Sequence, residues 1–252
     1  YSSFREYQMR LVELIDKLLI ILEGEDNYQL FMLDGQVSVL YNYLEIKPEN
    51  KIRLEQLIKK GKLLIGPFYI LPDEYMISPE GIYRNLQTGI RESALFGGHM
   101  PLAYLCDMSG HPSQMPQVLN HFYLEAMVGW RGVIGYQETQ QSEFYWKAPD
   151  GSRILFLTMP FGYINFGRLP NEKEDILGIV KHRIKGLLNF SITDQLLFME
   201  GFDHQEARKD IPEIIQYLNE KISDTEFIHS SLPEYFEAVR KNLPATVAEY
   251  SG

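Results

Sequence analysis

The residues best suited to chemistry follow the apolar run at residues 102–105. The chain leaves this run into Asp107, and His111 follows shortly after a glycine. An acid that leaves a buried strand beside a glycine and a histidine is typical of catalytic or metal-binding groups at the carboxyl end of a barrel strand. A structural alternative is equally open, since Asp107 or Ser109 could cap a helix that begins near Gln114.

A second apolar run, at residues 196–199, ends in the same way in Asp203 and His204. Asp203 could instead cap the next helix or lie in a solvated loop. Two carboxylates at strand ends suit glycoside hydrolysis, with one acid as the nucleophile and the other as the acid/base catalyst. An Asp–His pair equally suits a divalent metal. The spacing alone leaves both chemistries open.

Other polar and aromatic side chains fall in predicted loops and could complete such a site. Arg131 follows the short run at residues 126–128, where an arginine could pair with and orient a catalytic carboxylate. Asp34 precedes a glycine, a pair that favours a simple turn. Phe68 and Tyr163 could stack on sugar faces, although most aromatic side chains belong to the core.

Alternating helices and strands would have to position these groups. Apolar residues at helical spacing predict helices at residues 11–22, 52–58, 82–94, 173–188, 211–221 and 233–241. Short apolar runs predict strands at residues 30–33, 63–65, 102–105, 126–128, 154–159 and 196–199, with a hairpin that joins 144–146 to 154–156. This alternation indicates one α/β domain with a mostly parallel sheet, either a barrel or an open doubly wound sheet.

The composition excludes several classes of protein. Of the 252 residues, 45% are hydrophobic and 23% are charged, which can fill a core and rules out disorder. Acidic residues outnumber basic ones by 34 to 24, which argues against nucleic-acid binding and weakly against an anionic membrane surface. The single cysteine, Cys106, excludes a disulfide framework and a cysteine-based zinc site, so we expect a reducing, cytoplasmic setting.

The apolar runs and the first residues indicate what kind of segment this chain is. No apolar run approaches the roughly 18 residues of a membrane span, and the first residues lack the pattern of a signal peptide. Because the chain opens at Tyr1 without a methionine, we expect it to be a segment of a longer protein.

A series of short motifs also runs through the chain in a fixed order. They are Leu33-Asp34-Gly35-Gln36, Tyr43-Leu44-Glu45-Ile46, Gly66-Pro67-Phe68-Tyr69, Leu71-Pro72-Asp73-Glu74, Ile82-Tyr83-Arg84-Asn85-Leu86, Asp107-Met108-Ser109-Gly110-His111 with Gln114 to Gln117, and Trp130-Arg131-Gly132. The series resembles the N-terminal catalytic domain of glycoside hydrolase family 38, the α-mannosidases. It is most similar to the bacterial branch that includes mannosylglycerate hydrolases, and the resemblance covers nearly the whole chain.

The resemblance implies a fold and an activity. The fold would be a seven-stranded β/α barrel of the glycoside hydrolase and deacetylase type, with residues 1–252 as a single catalytic domain. The activity would be retaining hydrolysis of α-mannosides through a covalent mannosyl-enzyme intermediate, with zinc or another divalent metal at the sugar subsite. The partner would be an α-mannoside, with no nucleic acid and no membrane, and a homo-oligomer of the longer chain is compatible with this interpretation.

The resemblance also implies roles for individual residues. Asp107 matches the nucleophile and a metal ligand, and Asp203 matches the general acid/base. Arg131 and Tyr163 match positions near the nucleophile and the sugar. We also place Phe68 and His204 among the candidate substrate-binding residues.

Two features depart from the family's pattern. Cys106 and Ser109 stand where the family usually has proline and phenylalanine. The family's His-x-Asp metal motif would lie upstream of Tyr1, and its remaining metal histidine would lie beyond Gly252. The remaining metal ligands are therefore expected outside this chain.

Two other functions remain open. A metal-dependent carbohydrate deacetylase on a related barrel would use Asp107 as a base and metal ligand, but it would require His-x-x-x-His spacing, which the sequence lacks. A non-catalytic sugar-binding domain would keep the fold without turnover. A His-x-Asp motif just upstream of Tyr1 in the full-length gene would favour the hydrolase.

Overall fold

A computed structural model describes residues 3–24, 27–132, 135–203 and 205–251 of the chain. The helices in these ranges are α1 (Phe4–Gly24), α2 (Ser38–Leu44), α3 (Lys51–Lys59), α4 (Pro79–Phe96), α5 (Met115–His121), α6 (Gly135–Thr139), α7 (Lys173–Leu188), α8 (Ile211–Lys221) and α9 (Leu232–Asn242). Short 3-10 helices lie at Pro48–Asn50 and Glu74–Met76. The strands are β1 (Phe31–Met32), β2 (Leu63–Leu64), β3 (Ala103–Leu105), β4 (Ala126–Gly129), β5 (Glu143–Lys147), β6 (Arg153–Thr158) and β7 (Glu249–Ser251).

The strands form two sheets. β1 and β2 pair in parallel, and a bridge between Gln36 and Phe68 extends this pair. The larger sheet has the order β3-β4-β6-β5-β7, in which β5 and β6 form an antiparallel hairpin and the other pairs are parallel. Within the described ranges these sheets do not close into a ring. The α/β class is therefore confirmed, whereas the predicted seven-stranded barrel is not.

The predicted helices are all present, and local sequence explains their ends. At the start of α4, the Ser78 hydroxyl accepts a hydrogen bond from the backbone N–H of Gly81 at 3.1 Å. The helix stops at Gly97, whose φ of 134° favours glycine. The largest difference between predicted and observed bounds is at the start of α1. This helix begins at Phe4, because a more polar first part precedes the apolar stripe at residues 11–22.

One predicted strand, at residues 196–199, is wrong, because this stretch has no regular structure. The segment beside it is a loop that contains Asn165. The side chain of Asn165 makes two of the hydrogen bonds that a neighbouring strand would make through its backbone. The Asn165 amide donates to the Leu197 carbonyl at 2.8 Å and accepts from the Met199 N–H at 2.6 Å. One backbone bond, from the Phe166 N–H to the Met199 carbonyl at 3.0 Å, completes the contact.

The strands β3, β4 and β6 of the larger sheet are buried on both faces. Leu105, Met127 and Phe156 point to one face and pack with residues of α4 and α5, whereas Tyr104, Val128 and Leu157 point to the other face and pack with α9. This alternation is the two-residue period of a strand. A separate apolar cluster joins α1, α2, α3, α7 and α8 around β1 and β2. None of the helices in the described ranges is long and apolar enough to cross a lipid bilayer.

Candidate active site

Asp107 and Arg131 leave two neighbouring strands at matching positions. β3 and β4 are parallel with Leu105 opposite Gly129, so each of the two charged residues lies two positions beyond that pair. Parallel strands end at the same edge of a sheet, and the Arg131 Nε atom lies 2.7 Å from Asp107 Oδ1. The structure thus brings together the acid and the arginine that the sequence singled out.

The Asp107 carboxylate is only partly covered. Its side chain is 38% exposed, although the Oδ1 atom is buried and forms no hydrogen bond of good geometry. The contact with Arg131 is therefore an ion pair that fixes the position of the carboxylate without a well-aligned hydrogen bond. Such a carboxylate is accessible to a reacting group from the open side.

Two aromatic rings link this acid to the second one. The Trp130 ring meets Tyr163 edge to face with 5.7 Å between centroids, and the Arg131 guanidinium lies 4.5 Å from the Trp130 centroid. The Tyr163 hydroxyl donates toward both carboxylate oxygens of Asp203, at 3.3 and 3.2 Å. Burial, followed by the charges of Asp107 and Asp203, raises the pKa of Tyr163 to about 12. Tyr163 therefore remains a neutral hydrogen-bond donor between the two acids.

A third carboxylate, that of Asp34, lies near enough to Asp107 and Asp203 for their charges to act on it. Burial, together with the charges of Asp203 and Asp107, raises the pKa of Asp34 to about 6, although a hydrogen bond from Gln36 opposes the shift. The residue nevertheless keeps contact with solvent. The sequence favoured a simple turn here, and the left-handed backbone of Asp34 (φ 50°) and Gly35 (φ 68°) is such a turn. The signal that could have placed Asp34 in the site is its position just after β1, at the edge where the other acids lie.

The segment before Asp203 is shaped by close backbone approach. A Cβ atom on Gly167 would lie 2.3 Å from the Gly201 carbonyl oxygen, so only glycine fits there. Burial is the main cause that raises the pKa of Glu200 to about 7. Asp203 itself is exposed at the end of this segment, so it is accessible to solvent.

Several alternatives and candidates can now be settled. The helix α5 has Gln114 at its N-cap and α8 has Asp210, so neither Asp107 nor Asp203 caps a helix. Phe68 has no exposed surface and packs in the core with Leu105, so the sugar-stacking prediction is wrong for Phe68. His204 lies outside the described residues.

His111 is placed differently from a metal ligand or catalytic group. Its side chain is fully buried, with Nδ1 2.6 Å from Glu74 Oε1 and Nε2 3.0 Å from the Arg131 carbonyl oxygen. No pattern in the sequence predicts this contact, because Glu74 and His111 lie far apart along the chain. The buried pair of Glu74 and His111 thus contacts the backbone of Arg131.

The residues present do not make up a metal site by themselves. In the part of the chain that the structure describes, no group of three His, Cys, Asp or Glu side chains is arranged to hold a metal ion. The buried Asp107 Oδ1 atom, which lacks a well-formed hydrogen bond, could supply one ligand.

Comparison of the sequence with known proteins gives one family and one curated relative. The N-terminal domain of glycosyl hydrolases family 38 matches residues 1–252. A protein from Halalkalibacterium halodurans, which bears the name "Putative mannosylglycerate hydrolase", is 32% identical over 263 aligned residues. The alignment takes in all of this chain but 29% of the relative. The chain thus spans less than a third of the relative's length.

Solved structures agree with this match. An α-mannosidase from Enterococcus faecalis V583 superposes with a TM-score of 0.95 at 37% identity, over 100% of this chain and 29% of that protein. A family 38 glycosyl hydrolase protein from Enterococcus faecalis gives a TM-score of 0.83 at 34% identity, over 100% of this chain and 27% of that protein. A 4-α-glucanotransferase from Thermococcus litoralis, at 16% identity and a TM-score of 0.63 over 93% of this chain and 36% of that protein, shares the fold alone.

Proposed function

Because the chain belongs to glycosyl hydrolase family 38, we propose that the protein that carries it is a glycoside hydrolase that cleaves α-mannosides with retention of configuration. The observation that carries this proposal is the contact of Asp107 with Arg131 and of Asp203 with Tyr163, since the charges of both acids act on the Tyr163 hydroxyl. Mannosylglycerate, named in the relative from Halalkalibacterium halodurans, is one candidate α-mannoside.

In the first step, Asp107 attacks the anomeric carbon of the mannoside. Arg131 holds the carboxylate in place through the contact of its Nε atom with Asp107 Oδ1. The bond between the anomeric carbon and the leaving oxygen breaks as the new bond to Asp107 forms, and Asp203 gives its proton to the leaving oxygen. The product of this step is a mannosyl ester of Asp107.

In the second step, the roles reverse. Asp203, now ionised, takes a proton from water while the water oxygen attacks the anomeric carbon and releases Asp107. Two inversions restore the α configuration. The neutral Tyr163 hydroxyl, which donates to Asp203, fixes the direction of that carboxylate in both steps.

The proposal includes a divalent metal, zinc according to the resemblance, next to Asp107. Among the residues of this chain Asp107 would contact it, and the remaining ligands would come from outside the chain. When bound, such an ion would supply charge stabilisation for sugar hydroxyls. We further propose that the two sheets are parts of a β/α barrel and that the protein is cytoplasmic.

The test is to trap the intermediate in the intact protein. An activated fluoro-mannoside should form a stable ester, and mass spectrometry of the digested protein should find the added mass on the peptide that contains Asp107. Glu220→Gln, an exposed change on α8, is the control and should be labelled equally. A label on a different carboxylate would overturn the assignment of Asp107.

A further inference from the structure

Arg131 contacts Asp107 through its side chain, but its backbone is held by a different part of the molecule. The carbonyl oxygen of Arg131 lies 3.0 Å from Nε2 of His111. A carbonyl oxygen can only accept a hydrogen bond, so His111 Nε2 carries the proton and donates it. The loop that carries the arginine is thus tied to the loop that begins with Asp107.

The other ring nitrogen of His111 is tied to a third segment. Nδ1 lies 2.6 Å from Oε1 of Glu74, in the 3-10 helix Glu74–Met76, and both side chains have no exposed surface. A contact this short holds one proton between the two atoms, whichever atom keeps it, so the buried pair is neutral overall. The other Glu74 oxygen is buried without a partner. A buried oxygen without a hydrogen bond lowers the stability of the folded state, so a functional role for Glu74 would explain why a carboxylate lies there.

Further close contacts join the same three segments. A Cβ atom on Gly132 would lie 2.7 Å from Gly110 Cα, and one on Gly110 would lie 2.5 Å from the Tyr75 ring. The Tyr75 hydroxyl donates to the His111 carbonyl oxygen at 3.1 Å. The segments at residues 74–76, 107–111 and 130–132 are therefore in direct contact, and Gly132 closely approaches the backbone of Gly110.

We propose that His111 is a positioning residue that sets Arg131 against the nucleophile Asp107, and that Glu74 supports it by orienting the His111 ring, which the amide of a glutamine at position 111 would not require. This inference rests on the proposed function and adds to it the residues that prepare its nucleophile. The ring nitrogens of His111 bond Glu74 and the Arg131 carbonyl, and neither bonds Asp107 or the proposed acid/base, so His111 acts through the Arg131 backbone. Misplacement of a catalytic group by about 1 Å can cost as much as about 100-fold in rate, which is the scale on which the pair would act.

The test uses two substitutions that each keep one contact of His111. In the intact protein, His111→Gln carries an amide near the position of Nε2 and keeps a donor for the Arg131 carbonyl. His111→Asn carries an amide near Nδ1 and keeps the contact with Glu74 alone. We expect His111→Asn to lower kcat on an activated α-mannoside by about 10- to 100-fold, with KM changed by less than about threefold. His111→Gln should keep kcat within about threefold, and equal losses in both variants would overturn the proposal.

A double-mutant cycle shows whether the effect passes through Arg131. In an Arg131→Ala background, His111→Asn should change kcat by less than about threefold, because the group that it positions is already gone. Losses that multiply independently would mean that His111 acts elsewhere. His99→Asn is the matched control, since His99 is half-buried, bonds the Met100 carbonyl and precedes the opposite end of β3. It should leave kcat unchanged.

Two further measurements cover failure to fold and failure of the proposed function. If His111→Asn does not fold, Glu74→Gln should keep kcat and Glu74→Met should lower it, and equal kcat in the two variants would overturn the proposal. If the wild-type protein cleaves no α-mannoside, the proposed function fails, and a crystal structure of a folded His111 variant decides the inference. Separation of Arg131 Nε from Asp107 Oδ1 beyond 2.7 Å in His111→Asn supports it, and an unchanged contact overturns it.

Discussion

The two proposed catalytic acids are held in place in different ways. Asp107 follows β3, which is hydrogen-bonded along its length to β4 and buried on both faces. Asp203 follows a stretch without regular structure that depends on the side chain of Asn165 and one backbone bond. A strand ladder fixes many backbone atoms at once, whereas a side-chain bridge fixes few. We therefore expect the Asp107 side to be stiff and the Asp203 side to be adaptable.

This difference fits the chemistry that each side would perform. A nucleophile must meet one carbon atom at one distance and angle. The acid/base group must serve a leaving oxygen first and a water molecule second, and these occupy slightly different places. A rigid support suits the first task, and a support with some freedom suits the second.

The largest expected effect comes from removing the group on the stiff side. Asp107→Ala in the intact protein should lower kcat by several orders of magnitude, because the covalent step has no substitute group. The loss should be similar for substrates with good and poor leaving groups. Steady-state kinetics with an aryl mannoside series measures it, and a variant with more than a few per cent of wild-type activity would contradict the role of Asp107.

The next effect, on the adaptable side, should depend on the substrate. Asp203→Ala should spare the first step for good leaving groups, which need little protonation, and should slow the second step. Azide needs no general base, so it should restore turnover and give a mannosyl azide of α configuration. Equal loss for all substrates, without azide rescue, would make Asp203 a binding residue and place the acid elsewhere.

A smaller effect should follow from loosening one side without touching either acid. Asn165→Ala leaves the Leu197 carbonyl and the Met199 N–H without their partner, which should lower the free energy of unfolding by about 2–3 kcal/mol. It should also slow substrates that need protonation more than substrates that do not, by about tenfold. Chemical denaturation and the leaving-group series measure the two quantities.

Val128→Ala in β4 is the matched control for the other side. It removes buried methyl groups and should destabilise the protein by about 1–3 kcal/mol, but it should not change how the rate depends on the leaving group. If both variants change this dependence equally, the two supports do not differ in the way proposed.

The smallest effect concerns the pH dependence of stability. The pKa of Asp34 is raised from its ordinary 3.8 to about 6, so the folded state binds the proton more tightly than the unfolded state. The stability that results is complete below about pH 4 and is lost as the pH rises through about 6. Asp34→Asn cannot ionise, so its stability should be flatter between these values. The difference should be about 1 kcal/mol, because the side chain is partly screened by solvent.

Glu200 gives the counterpart on the Asp203 side. Its pKa is raised to about 7, so Glu200→Gln should flatten stability over a window that extends about one pH unit higher than for Asp34→Asn. Denaturation at a series of pH values distinguishes the two windows. If stability flattens over the same pH range in both variants, Asp34 and Glu200 do not lie in separate environments.

Much of the Asp107 side could be predicted from sequence because one pattern determines it. Apolar runs that end in a charged residue predicted both Asp107 and Arg131 at the edge of a parallel sheet, and the register confirms their proximity. The run at residues 196–199 shows the same pattern but is not a strand, because its neighbour offers a side chain, Asn165, instead of a strand edge. An apolar run specifies burial but not the partner that completes its hydrogen bonds.

Aromatic and histidine residues show the same limit. Phe68 and Tyr163 were both candidates for sugar stacking, yet Phe68 is fully buried whereas Tyr163 contacts Asp203. His111 lies in a motif that suggested catalysis or metal binding, and its contact with Glu74 depends on a fold that brings distant segments together. Residue type gives the chemistry that is available, and only tertiary contacts decide which residues can use it.

The order of strands in the larger sheet has a consequence for how the chain folds. β5 and β6 are joined by a short turn at Gly151, whereas β7 reaches β5 from the far end of the chain and β3 joins through a long crossover. Closing a short loop costs less entropy than closing a long one. We therefore expect the β5–β6 hairpin to form early and to recruit β4 and then β3 in turn. The edge that carries Asp107 would then be completed late in folding, after most of its support is already in place.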